Sequence, residues 1–214
     1  MKLHKRICLT IWCILFFSFI SANINGEELT IFKGNYLSLG LLTGKQNVTL
    51  EIRFDTDNNM YYLFYYYIGL TQTPVWISLT ENQLEILRNN LKKFIEWDTI
   101  ARRENANISR ELPNSAIDAV NVIEGTGYER AESRNLTNLL FRFDTDTQAT
   151  KMAGEPLLLI TSNKVGTRNA YGIVTLQVMI NLTSEQAQNL LTGMEPNNLK
   201  NSINRLRGQS NLFN

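Results

Sequence analysis

The chain contains the pentapeptide Arg-Phe-Asp-Thr-Asp twice, at residues 53–57 and 142–146. Each copy ends a stretch in which apolar and polar residues alternate, which is typical of a strand with one face on a core and the other in water. A Thr-x-x-Gln motif follows each copy, at residues 80–83 and 183–186. This is the capping-box spacing, so both motifs predict a strand that leads directly into a helix.

The two motifs recur in the same order, which predicts an internal duplication. The predicted fold is α+β: an antiparallel β-meander of about four strands followed by one helix, in two copies that pack together. The second copy holds about 14 extra residues between its two motifs. Its last strand is predicted over residues 171–182, where apolar residues alternate. The predicted strands lie near residues 36–42, 48–55, 60–70 and 75–79 in the first copy, and 116–123, 139–144, 156–162 and 171–182 in the second.

The N-terminus has the pattern of an export signal. A basic stretch, residues 1–6, precedes an uncharged apolar run over residues 7–20. This run is shorter than the ~20 residues that span a bilayer. We expect residues 1–26 to be a cleaved signal peptide and the mature protein to be secreted or periplasmic; an N-terminal membrane anchor is the alternative. The repeats are then residues 27–106 and 107–214, which we expect to form one compact unit without a transmembrane span.

Cleavage would remove the only histidine, His4, and the only cysteines, Cys8 and Cys13. The mature chain could then hold no Ser-His-Asp triad, no cysteine nucleophile, no Cys/His zinc site and no disulfide. Cleavage would also take three basic residues and no acidic one from the 21 basic and 20 acidic residues, leaving a net charge of −2. A net negative charge disfavours electrostatic binding to nucleic acid. No phosphate-binding or dinucleotide motif occurs, so no cofactor is predicted.

A tyrosine-rich strand is the most unusual local composition. Residues 60–68 contain five of the eight tyrosines of the chain. Such a strand can form a stacking platform for sugar rings, bases or a partner protein. It can equally be a central strand that is buried on both faces, because aromatic residues favour strands. The candidate ligand-binding tyrosines are Tyr61, Tyr62, Tyr65, Tyr66 and Tyr67.

The repeated pentapeptide supplies the candidate charged residues. Arg53 and Arg142 either pair with carboxylates across the sheet or bind an anion. Two carboxylates spaced i, i+2 at a strand end can bind a hard cation such as calcium. Aspartate is also a common turn former that accepts hydrogen bonds from its own backbone. The candidate metal ligands are Asp55 and Asp57 in the first copy, and Asp144 and Asp146 in the second.

These features predict an exported, non-enzymatic binding or structural protein of the cell envelope or extracellular space, with a protein or glycan partner. The alternative is a glycoside-type hydrolase that acts outside the cytoplasm, with the aspartates of the two turns facing a groove. The doubled plan of four strands and a helix resembles, in its order of elements, the whirly and Pur-type single-stranded nucleic-acid binders. This resemblance implies a third function, the binding of single-stranded nucleic acid.

Overall fold

The computed structural model describes residues 28–40, 44–68, 72–124, 136–169 and 172–210. The predicted signal peptide, residues 1–26, lies outside the described residues. Four helices are described: α1 (Glu81–Glu104), α2 (Gln148–Ala153), α3 (Ser184–Gly193) and α4 (Pro196–Ser210). The described strands are β1 (Glu28–Gly40), β2 (Gly44–Asp55), β3 (Met60–Ile68), β4 (Gln72–Leu79), β5 (Ser109–Glu111), β6 (Ile117–Glu124), β7 (Leu136–Asp144), β8 (Leu157–Ser162), β9 (Val165–Asn169), β10 (Gly172–Leu176) and β11 (Met179–Leu182).

Nine strands form one antiparallel sheet in the order β5-β7-β6-β4-β3-β2-β1-β11-β8. β7 also pairs with β8, from Leu139 opposite Ser162 to Asp144 opposite Leu157, so the sheet closes into a ring. β5 and β6 follow one another along the other edge of β7. β9 and β10 form a separate two-stranded hairpin. The fold is therefore mixed α+β with a large antiparallel sheet and a few helices, which confirms the predicted class.

Two runs of four strands make up the ring. β1 to β4 are successive neighbours and lead into α1; β6, β7, β8 and β11 are successive neighbours and lead into α3. β2 and β7 are the second strands of their runs, and each contains the start of the repeated pentapeptide at its C-terminal end. The two runs have the same order of elements around the ring.

Capping boxes begin both helices that follow these runs, as the sequence predicts. Thr80 Oγ1 accepts from the Gln83 backbone N–H at 3.3 Å, and the Thr80 N–H donates to Gln83 Oε1 at 2.8 Å. Thr183 and Gln186 make the same two bonds, at 3.3 and 3.1 Å. Both caps satisfy backbone donors that a helix N-terminus leaves without intrahelical acceptors. In the part of the chain that the structure describes, no helix is both long enough and apolar enough to cross a bilayer.

One main core joins both runs of strands to α1, α3 and α4. The apolar stripe of α1, Leu84, Leu87, Leu91 and Phe94, is fully buried against inward-facing strand residues. Phe94 packs on Phe143 of β7, with ring centroids 5.8 Å apart. Burying each such side chain stabilises the fold by about 1.5–3 kcal/mol. The helix therefore contributes to a core that neither run of strands encloses alone.

The single strand predicted over residues 171–182 is two strands in the structure. β10 ends at Leu176 and pairs with β9, whereas β11 begins at Met179 and enters the large sheet. Between them, the Val178 N–H donates to Ser162 Oγ at 3.0 Å. The alternation of apolar residues continues through this junction, so it does not reveal the change of pairing partner. The β9–β10 hairpin and α2 supply the extra residues of the second run.

Candidate functional site

Two tyrosines of the run in β3 project into the main core. Tyr61 and Tyr65 are buried there. The ring of Tyr65 meets that of Tyr36 edge-on, with centroids 5.5 Å apart and planes at 83°. Burial, together with a hydrogen bond to the Glu81 carboxylate, raises the pKa of Tyr61 to about 12. In this conformation these two side chains are packing groups of the core.

The alternate tyrosines lie on the other face of β3, because successive strand residues point to opposite sides. Tyr62 is buried against Trp76, with ring centroids 6.2 Å apart, and burial raises its pKa to about 12. Tyr66 is 37% exposed. Tyr67 belongs to β3, but its side chain lies outside the described residues. A tyrosine platform stays a prediction, and of the four described side chains Tyr66 is the exposed one.

Arg53 lies on this same face, beside Phe64 and Trp76. Its guanidinium carbon is 3.9 Å from the centroid of the Phe64 ring and 4.7 Å from that of Trp76. One guanidinium nitrogen lies 2.7 Å from Glu51, and the other 3.4 Å from Glu28. Burial raises the pKa of Glu28, and the charge of Arg53 opposes this rise. The guanidinium is thus held by two rings and two carboxylates, while its role in anion binding stays a prediction.

Arg142 occupies the matching position in β7 but has different surroundings. It is exposed, and its Nε donates to Ser109 Oγ at 2.9 Å. Ser109 Oγ donates in turn to Asp144, which is fully buried and also accepts from the Thr147 hydroxyl. Asp146 is exposed. The Asp144 carboxylate therefore organises the turn after β7.

Asp55 has the same role in the turn after β2. It is buried, and its Oδ1 accepts from the backbone N–H groups of Asp57 and Asn58 at 2.9 and 3.2 Å. Its Oδ2 accepts from Asn58 Nδ2 at 2.7 Å, and Asp57 is exposed. Calcium binding by the two aspartate pairs stays a prediction. Over the described ranges, no group of three or more His, Cys, Asp or Glu side chains is placed to hold a metal ion.

A cleft of about 760 Å³ opens between β1 and the helices α3 and α4. Residues 31–35 of β1 line one side of it. Lys45 and Asn47 of β2 also line the cleft, so it is bounded by both strands and by the two helices. β1 pairs with β2 from Glu28 to Gly40, with an irregularity between Thr30 and Phe32, whereas it pairs with β11 at Leu37 alone. Among the described residues, β11 therefore leaves most of this edge of β1 without a strand partner.

Polar side chains from α3 and α4 form the opposite wall. The charged groups of the cleft as a whole are balanced, since two lysines, Lys33 of β1 and Lys45 of β2, and two glutamates, Glu155 and Glu185, line it. Amide side chains both donate and accept hydrogen bonds, so the wall suits a polar, uncharged ligand. The uncharged polar residues of this wall include Gln186, Asn189, Thr192, Asn198, Asn201 and Ser202.

The sequence alone did not single out these cleft residues. Gln186, Asn189 and Gly193 are spaced three and four apart on α3, which marks a polar helix face. Such a face has the same pattern whether it borders a cleft or open solvent. The open edge of β1 has no sequence signal, because it results from where β11 ends.

No family model matches this sequence, no curated protein matches it, and no solved structure matches the fold. The comparison with solved structures therefore gives no support to the resemblance to whirly and Pur-type proteins.

Proposed function

We propose that this chain is an exported, non-enzymatic binding protein of the cell envelope or extracellular space, and that the cleft along β1 is its ligand site. The cleft carries the proposal. Its volume of about 760 Å³ lies in the range of about 300–1,000 Å³ that is usual for ligand sites. Its balanced charge and amide-rich wall favour a neutral polar ligand such as a peptide segment or a glycan.

The aspartate contacts support binding over glycoside-type hydrolysis, which is the alternative. A glycosidase needs two carboxyl groups about 5–9.5 Å apart on either side of the scissile bond. Asp55 and Asp144 are buried and accept hydrogen bonds from groups in or beside their own turns. β2 and β7, which end at these residues, are four strands apart in either direction around the ring. Both turns therefore lie at the same end of the ring but on opposite sides of it, and the burial and hydrogen bonds of the two aspartates are what support binding over hydrolysis.

The charge of the cleft also argues against a nucleic acid as its ligand. Binding of single strands usually combines a positively charged groove with accessible aromatic rings. The cleft has as many glutamates as lysines. Among the described tyrosines of β3, three are buried. A single-stranded nucleic-acid ligand is therefore less well supported than a neutral one.

We also propose that the chain arose by duplication of a unit of four strands and one helix, with copies over residues 27–106 and 107–214. The supporting observations are the two pentapeptides on the second strand of each run and the two identical capping boxes. The caps have nearly the same backbone angles, φ −71° and ψ 167° at Thr80 and φ −72° and ψ 168° at Thr183. Tests of single variants can therefore use the matching position of the other run as a control.

Export is tested by expressing the full chain and fractionating the cells. We expect the protein in the periplasm or the medium, with an intact mass that corresponds to loss of about 26 residues. Full-length protein in the membrane fraction would support the N-terminal anchor instead. Full-length protein in the soluble cytoplasm would contradict the proposed export.

Binding at the cleft is tested with a tryptophan that obstructs it. Asn189 and Gln188 are adjacent exposed residues of α3, but only Asn189 lines the cleft. We expect ligands selected from a glycan array or a peptide display library to bind Asn189→Trp at least tenfold more weakly than the unaltered chain. Gln188→Trp should bind them as the unaltered chain does. Equal binding by all three proteins would exclude the cleft as the ligand site.

A further inference from the structure

We propose that a second, smaller pocket beside α4 binds a small organic carboxylate. The pocket has a volume of about 300 Å³, at the lower end of the usual range for ligand sites. A stripe of α4 from Pro196 to Arg207 forms one wall, and residues of β2, β3, the turn between them and the start of α1 form the other. No described residue lines both this pocket and the cleft, so the two are separate sites.

Two basic residues of the α4 wall, Lys200 and Arg207, line the pocket. They lie on the same face of the helix, about 10 Å apart along its axis at ~1.5 Å per residue. Both side chains are long, so their charged ends can approach one carboxylate from two sides. Among the described residues, no carboxylate lies within 4.0 Å of either cation, and α4 itself contains no acidic residue. Both cations can therefore pair with an anionic ligand.

Apolar side chains beside these cations favour an organic anion. The guanidinium carbon of Arg207 lies over the ring of Phe54, 5.9 Å from its centroid. The ring of Tyr61 packs against that of Phe54, with centroids 5.0 Å apart. Pro196, which is exposed, and Ile203, which is half-buried, add apolar surface from α4. A carboxylate bound at Arg207 can place its hydrocarbon part on this surface, whereas an inorganic anion has nothing to bury there.

The charge of the pocket favours a single negative charge on the ligand. Glu81 is the only acidic residue among the described residues that line it. Its carboxylate accepts a hydrogen bond from Arg88 at 2.8 Å and another from the Tyr61 hydroxyl. Two basic residues and one acidic residue give the lining a net charge of +1. A carboxylate matches this charge better than a doubly charged phosphate does.

The test is a titration of the purified protein with hexanoate at constant ionic strength, followed by NMR through the backbone amide shifts of residues 199–207. For a ligand of about eight non-hydrogen atoms, we expect saturable shifts with a Kd on the order of 1 mM. Hexanamide, which has the same hydrocarbon chain without the charge, should bind at least fivefold more weakly. Inorganic phosphate, which has no hydrocarbon part, should also bind more weakly than hexanoate.

Three charge-removing variants assign the binding to the pocket. Arg207→Gln and Lys200→Gln each remove one of its cations, whereas Arg205→Gln removes an exposed charge of α4 that does not line it. We expect the first two to bind hexanoate at least fivefold more weakly than the unaltered chain, and Arg205→Gln to stay within twofold of it. Asn189→Trp, which obstructs the cleft, should bind hexanoate as the unaltered chain does.

Four results would each overturn this proposal. They are the absence of saturable shifts up to about 50 mM hexanoate, tighter binding of phosphate than of hexanoate, equal binding by Arg207→Gln and Arg205→Gln, and loss of binding in Asn189→Trp. The first and third would show that the cations of α4 form no specific site. The second would indicate an inorganic anion, and the fourth would assign hexanoate to the cleft. The selections from glycan and peptide libraries test the cleft separately.

Discussion

A Cβ atom built on Gly193 would lie 2.0 Å from Cδ2 of Phe32, so the last residue of α3 rests directly on a side chain of β1. This contact fixes the distance between the strand edge and the helix on either side of the cleft. Gly193→Ala forces the ring or the helix to move. We expect a loss of about 1–3 kcal/mol in the free energy of unfolding, measured with urea.

Gly208 provides the matched control for this change. It lies in α4, and a Cβ atom there would meet no atom within 4 Å. Gly208→Ala should leave stability unchanged or raise it by up to about 1 kcal/mol, because alanine favours helix. Equal destabilisation by both substitutions would contradict a specific contact at Gly193.

Ala119 has a left-handed backbone conformation, with φ 54°, at an irregularity in the pairing of β6 with β7. Its N–H donates to Asn138 Oδ1 at 3.2 Å. An L-residue with a Cβ is disfavoured here, whereas glycine is not. We expect Ala119→Gly to stabilise the protein by about 0.5–1 kcal/mol in urea unfolding. Ala101→Gly, inside α1, should destabilise it, and a loss in both variants would argue against strain at Ala119.

The two arginines of the repeated pentapeptide should respond differently to lysine. Arg53→Lys keeps the charge but loses the planar group that covers Phe64 and Trp76. We expect a loss of about 0.5–2 kcal/mol of stability and a change in tryptophan fluorescence. Arg142→Lys should stay within about 0.5 kcal/mol of the unaltered protein, since that side chain is exposed. The stacking argument fails if both substitutions cost the same.

Asp55 accepts three hydrogen bonds within its turn, whereas Asp57 is exposed. Asp55→Ala should therefore destabilise the protein by about 1–3 kcal/mol, and Asp57→Ala by much less. Thermal unfolding with calcium and with a chelator separates turn formation from metal binding. We expect the same difference between variants in both conditions. A melting temperature that calcium raises only when Asp55 is intact would instead support the predicted calcium site.

The pKa of Tyr61 is raised to about 12 by burial and by the Glu81 carboxylate. Between pH 10 and 12 the unfolded chain releases this proton while the folded chain keeps it, so stability falls as the pH rises. Tyr61→Phe removes this contribution. We expect its stability to fall less steeply than that of the unaltered protein over this range, in urea titrations at several pH values. Identical slopes would contradict the raised pKa.

Local patterns in the sequence predicted much of the fold correctly. The alternation of apolar and polar residues before Asp55 and before Asp144 predicted two strands. Both aspartates are the last residues of strands in the large sheet. The Thr-x-x-Gln motifs predicted the starts of two helices, because a capping box is complete within four residues. The spacing of Leu84, Leu87, Leu91 and Phe94 is typical of a helix with one buried face, and all four are buried, whereas Ile100 is 40% exposed. Each of these predictions depends on interactions between residues close together in the chain.

Local sequence patterns predicted neither the pairing of distant strands nor the candidate site. Closure of the sheet depends on β1 meeting β11, with Leu37 opposite Asn181, and the open edge of β1 depends on where β11 stops. Tyr62 and Tyr66 lie on one face of the same strand, yet one is buried and the other exposed. Neither alternation nor composition distinguishes them, because burial depends on what packs over each side chain.

The sequence by itself therefore determined the mixed α+β class, most strand positions and the capped starts of two helices, since these follow from periodicity and short-range hydrogen bonding. The tertiary structure decided the ring of strands, the packing of Phe32 against Gly193 and the cleft between β1 and α3. Those features arise where segments more than 100 residues apart meet, as when Leu37 pairs with Asn181. Their geometry is set by the packing of the whole core, which no short segment encodes.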